Sequence, residues 1–164
     1  MIGLEEFEEI APLNFSYLLD LGFAKSQAER GYAMYYVSYN KNDLVVRIEY
    51  SIKNDYVNAT IAKNPTKPQD FGNDKCSVSL SHLMHKYRPN YDYQRDYLMV
   101  MPKEIGMAQS VEAVAKLFRQ YAMDILLGKK WESWGDITGY KQPKSPDINV
   151  YYKGKLIVHK PKEE

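Results

Sequence analysis

The sequence predicts a single α+β domain spanning residues 1–164. Its core is an antiparallel β-meander packed by an N-terminal helix and one long C-terminal helix, and residues 141–164 form an extended β-hairpin or arm. Three observations carry this reading. Apolar residues repeat at helical spacing near the N-terminus, they alternate with a period of two over residues 32–61, and helical spacing returns after Met107. A chain of 164 residues also falls within the usual size of one domain and can bury a core without disulfide or metal staples.

Leu4, Phe7 and Ile10 share one face of the first helix, with Glu5, Glu6 and Glu9 elsewhere on its surface. Pro12 is expected to interrupt or restart this helix, because its ring does not fit a helix interior without cost. Phe15, Leu18 and Leu19 carry the stripe on to Gly22, the left-handed residue past the helix end, with Phe23 as its hydrophobic contact. Three strands follow. Met34 and Tyr36 alternate with Tyr35, Val37 and Tyr39; Leu44, Val46, Ile48 and Tyr50 alternate with Val45, Arg47 and Glu49; Tyr56, Asn58 and Thr60 alternate with Val57, Ala59 and Ile61. The turns at Asn40-Lys41-Asn42-Asp43 and Lys53-Asn54-Asp55 are too short for parallel crossovers, so the meander is antiparallel.

Residues 64–75 are rich in Pro, Gly, Asn, Asp and Lys and read as a mobile loop. A short fourth strand is expected over 76–80 and a short helix over 80–87, ended by Arg88-Pro89. Residues 91–106 carry no clear period. Met107, Val111, Val114, Phe118, Tyr121 and Ile125 then define the long helix, which ends at Gly128 and buries one face across the sheet. Trp131 and Trp134 cap the core beyond it, and a hairpin over 148–158 turns at Lys153-Gly154.

Composition narrows the function. Net charge is +1, from 22 basic and 21 acidic residues, without the basic excess that neutralises phosphates in nucleic-acid binders. The charge is uneven: Glu5, Glu6, Glu8, Glu9 and Asp20 precede the first basic residue, whereas Lys141, Lys144, Lys153, Lys155, Lys160 and Lys162 gather at the other end. The single cysteine, Cys76, the acidic start and the lack of an 18-residue apolar run point to a cytoplasmic protein without a membrane partner.

No Gly-rich phosphate loop or nucleophile elbow is present, and no cofactor is expected. Cys76 with His82 and His85 is the only constellation that suggests a small enzyme or a metal site. A core cysteine beside two exposed helix histidines is the preferred account of it, because a lone Cys at the start of an apolar strand packs as a small core residue and a zinc site wants three or four ligands. The most unusual stretch is 87–97, with four tyrosines and two arginines in eleven residues. Tyr87, Arg88, Tyr91, Asp92, Tyr93, Arg95, Asp96 and Tyr97 are therefore the candidate partner-binding residues, since Tyr and Arg dominate interface hot spots.

The order of these pieces resembles small bacterial immunity-type and hypothetical proteins of polymorphic or contact-dependent toxin systems. The resemblance covers residues 13–134. It rests on Leu18-Leu19-Asp20-Leu21-Gly22-Phe23, the Tyr-rich meander, Ser79-Leu80-Ser81-His82-Leu83-Met84, and Tyr121-Ala122-Met123-Asp124-Ile125-Leu126-Leu127-Gly128-Lys129. It implies a non-enzymatic protein that binds and neutralises one cognate toxin. Such proteins share no fixed functional residues, because each partner surface is private. The alternatives are a small enzyme using Cys76, His82 and His85, or a nucleic-acid-binding domain using the basic end and its aromatics.

Overall fold

Alternation along three consecutive strands sorts their side chains onto two faces, and one of those faces becomes the core. A computed structural model describes residues 2–139, 148–152 and 155–159. The meander is β3 (Met34–Lys41), β4 (Leu44–Ser51) and β5 (Tyr56–Lys63), preceded by two short strands, β1 (Ala24–Lys25) and β2 (Glu29–Gly31), that both pair with β3. A sixth strand, β6 (Ser77–Ser79), pairs with β5, and every pairing is antiparallel. The register sets Tyr35, Tyr50 and Val57 in one row, and Val37, Ile48 and Ala59 in the next. All six are buried.

Two helices cover that face. α1 (Ile2–Asn14) buries Leu4, Phe7 and Ala11, and Phe7 stacks on Tyr50 at 5.5 Å while meeting Tyr35 edge-on at 5.6 Å. Contrary to the expectation from Pro12, the helix runs through it to Asn14. The proline sits in the last turn, where only the bond back to Glu8 is forfeited. A one-turn α2 (Tyr17–Asp20) follows and ends as expected: Gly22 has φ +95°, the Phe23 amide donates to the Leu18 carbonyl, and Phe23 is buried.

After β6 come α3 (Leu80–Tyr87), α4 (Tyr93–Asp96), α5 (Pro102–Ile105), the long α6 (Met107–Leu126) and α7 (Trp134–Thr138). α6 buries Val111, Val114, Phe118, Ala122 and Ile125, the stripe predicted from spacing, with Phe15 of the N-terminal segment against Phe118. Gly128 closes it at φ +73°. β7 (Ile148–Tyr152) and β8 (Lys155–His159) form a separate two-stranded antiparallel sheet. The expected turn at Lys153-Gly154 and most of the basic C-terminal lysines lie outside the described residues.

Two segments differ from expectation. Residues 64–75 are tied down rather than loose. Pro68–Gly72 forms a 3-10 turn, and the buried Asp70 carboxylate accepts bonds from the Thr66 amide (2.7 Å), the Thr66 hydroxyl (3.2 Å) and the Lys67 amide (3.2 Å). The illegible stretch 91–106 completes the sheet edge. β6 reaches only as far as Thr60, leaving the outward amide and carbonyl of Val57 without a strand. The Tyr97 hydroxyl donates to that carbonyl at 2.9 Å, and the Val57 amide donates to the Met101 sulfur at 3.4 Å. Side chains here do the work of a missing strand, as burial of backbone polar groups requires. Among the described residues no helix is long and apolar enough to cross a membrane.

Candidate functional site

The stretch 87–97 begins where α3 ends. Ser79 caps that helix, its hydroxyl accepting from the His82 amide while its own amide donates to His82 Nδ1. Leu80, Leu83 and Met84 face the core, and Tyr87, on the same face at the helix's last residue, lies at the rim with 47% exposure. Its ring lies parallel to Tyr121 of α6 (centroids 6.2 Å apart, planes at 13°), and the Lys86 ammonium sits 4.8 Å above it. Lys86 in turn bonds Glu132 at 2.7 Å. Tyr87, Gln120, Tyr121, Met123 and Asp124 line an open depression of about 240 Å³ beside this pair.

Arg88 is half-buried and ends the helix, and the chain turns at Asn90, which has φ +57°. α4 is held by reciprocal caps: Asp92 accepts from the Arg95 amide at 2.9 Å, and Asp96 accepts from the Asp92 amide at 2.9 Å. Arg95 also binds Asp96 at 3.0 Å and the Asn90 carbonyl at 2.7 Å. The Arg95 side chain, followed by the Asp92 amide, holds the Asp96 carboxyl down to about 2. Most of the charge in this stretch is therefore spent on rigidity. Tyr91 is half-buried, with its hydroxyl 2.6 Å from that of Ser81 and its ring edge-on to His85.

Tyr93 is 44% exposed and stacks on Tyr97 at 5.8 Å with planes 10° apart, while its hydroxyl donates to that of Tyr56. Tyr97 leaves the candidate contact set: it is fully buried against Tyr56 and closes β5, and burial pushes its hydroxyl pKa up strongly. The eight candidates thus resolve into two exposed rings, Tyr87 and Tyr93, each backed by a second ring, with a half-buried Tyr91 between them in sequence. Tyr121, which backs Tyr87, and Tyr56, whose hydroxyl accepts from that of Tyr93, lie 34 and 37 residues away and have no local signal in the sequence.

The other constellation is dispersed. The Cys76 thiol donates to the Asp70 carbonyl at 3.4 Å, and burial raises its pKa, which suppresses the thiolate. His82 was expected to be exposed but is half-buried, its ring 4.1 Å from Trp134 with planes 9° apart. Burial lowers its pKa. His85 meets Trp134 edge-on at 5.4 Å. Among the described residues no hydrogen bond joins the thiol to either imidazole, and no three His, Cys, Asp or Glu side chains gather to hold a metal ion. Compared with known protein families, curated proteins and solved structures, the chain matches none.

Proposed function

We propose that this chain is a non-enzymatic protein-binding module acting as a cytoplasmic immunity-type protein, one that binds and neutralises a cognate bacterial toxin. Tyr87 and Tyr93 are its anchors, Tyr91 and Arg88 lie beside them, and Asp92, Arg95 and Asp96 stiffen the loop. The observation that carries this reading is the backing of each exposed ring by another: Tyr87 on Tyr121 and Tyr93 on the core residue Tyr97. A ring already fixed before contact forfeits little conformational freedom on binding, and its apolar face and hydroxyl suit a mixed interface.

The test is capture from cell extract with the full chain as bait, including the product of the adjacent gene, followed by titration of the captured protein. Replacing Tyr87 and Tyr93 by Ala, singly and together, should leave the circular dichroism spectrum unchanged. Each single change should weaken binding about 30-fold, the size of a 2 kcal/mol hot spot. Failure to capture any protein, or variants that bind as tightly as the parent, would sink the proposal.

A further inference from the structure

The sheet face turned away from α1 and α6 carries its own arrangement. One row of paired positions crosses four strands as Ser38, Arg47, Thr60 and Ser79. Arg47 is clamped there. Its guanidinium carbon lies 4.0 Å from the ring centroid of Tyr36 and 4.1 Å from that of Phe71, the residue carried over the sheet by the Asp70-bound turn. Its Nε is buried without a hydrogen-bond partner.

The two terminal nitrogens differ from Nε. They are not buried, and among the described residues no carboxylate, carbonyl or hydroxyl bonds them. The nearby acids are otherwise engaged: Glu29 accepts from the Tyr36 hydroxyl, and Glu49 accepts from the Asn58 amide. The Ser38 hydroxyl, directly across from Arg47 in the register, is also without a described partner. Directly opposed residues have Cβ atoms about 4.5–5.5 Å apart, so the Ser38 side chain starts beside that of Arg47.

A guanidinium packed against two rings is a restrained fork of donors, matched to the two oxygens of a planar acid. Contact with both rings already limits its freedom, so less is lost on binding. The flanking row decides between anions. Glu29 and Glu49 repel any anion in proportion to its charge, which penalises a dianion twice as much as a monoanion.

We propose that Arg47, with Ser38 beside it, is a binding site for a single carboxylate, supplied either by a small organic acid or by an acidic side chain of another protein. None of these residues belongs to the tyrosine surface, so each proposal stands or falls without the other.

The buried Nε–H is shielded from bulk water and serves as a reporter. The full ¹⁵N-labelled chain would be titrated at constant ionic strength with acetate, with a glutamate residue capped at both ends, with inorganic phosphate, and with chloride. Both carboxylates should shift the Arg47 Nε–Hε and Ser38 amide signals saturably. Phosphate should bind at least about threefold more weakly than acetate, and chloride should leave both signals in place. Arg47→Lys keeps the charge but loses the fork and should weaken acetate binding tenfold or more; Ser38→Ala should weaken it two- to fivefold. If Arg47→Lys loses its dispersed spectrum, the serine variant decides. Tighter binding of the capped glutamate assigns the carboxylate to a protein, tighter binding of acetate assigns it to a small acid, and either upholds the site. It is overturned by the absence of saturable shifts, by phosphate binding more tightly than acetate, or by a folded lysine variant within twofold of the parent.

Discussion

Replacing Tyr97 by Phe deletes one oxygen and tests how β5 is finished beyond the end of β6. The Tyr97 hydroxyl is the donor to the Val57 carbonyl at 2.9 Å, at a ring with no exposed surface. Phenylalanine fills the same ring volume, so no cavity of consequence opens. The carbonyl is left dry and unpaired, which costs about 1–3 kcal/mol. For a chain of 164 residues, each kcal/mol moves Tm by about 2–4 °C. The expected drop is therefore about 2–12 °C in a thermal melt followed by circular dichroism. Urea unfolding should give a lower midpoint with an unchanged slope, because the surface exposed on unfolding is the same. Tyr97→Ala should cost more, about 3–5 kcal/mol, because it also removes the ring behind Tyr93. A phenylalanine variant within about 0.5 kcal/mol of the parent would refute the idea that this hydroxyl replaces a strand.

Two further predictions concern acid. The Thr66 amide, together with Lys67, holds the Asp70 carboxyl below the usual carboxylate range. Its contribution to stability is full above about pH 4, where the unfolded group is ionised, and fades as pH falls through the depressed native value. Asp70→Asn should speed hydrogen exchange of the Thr66 and Lys67 amides about tenfold at neutral pH, and exchange unchanged from the parent would reject the role given to Asp70. For His82, burial lowers the pKa and His85 adds to the lowering, while Asp74 opposes it. Its contribution is full above about pH 6.5 and is lost as pH falls through the lower native value, because a protonated ring cannot accept from the Ser79 amide. Trp134 fluorescence should report that loss on acidification, and a His82→Gln variant should flatten the transition.

The meander and the long helix were legible because each exposes one face and buries the other, so burial writes its period into the sequence. Ser79 before α3, and the glycines after α2 and α6, were legible through the local chemistry of helix ends. β1 and β2 were not, since every residue in them is exposed and only backbone bonds to β3 make them strands. Residues 64–75 read as loose from their polarity, whereas their order comes from one carboxylate and from a ring that meets Arg47 far along the chain. In the candidate site, composition singled out the tyrosines but could not separate Tyr93 from Tyr97. α4 is a single turn, too short to show a period, and the partner at β5 is 40 residues away.

The sheet ends on one side in strands of two and three residues, and on the other in a strand of three whose neighbouring edge is sealed by Tyr97 and Met101. A rim so interrupted gives an incoming chain too few backbone groups to extend the ladder. Recognition of another molecule by the sheet then falls to side chains, which single substitutions can exchange without disturbing the scaffold. Substitution at such positions can therefore alter the chemistry of the sheet's surface while its architecture stays the same.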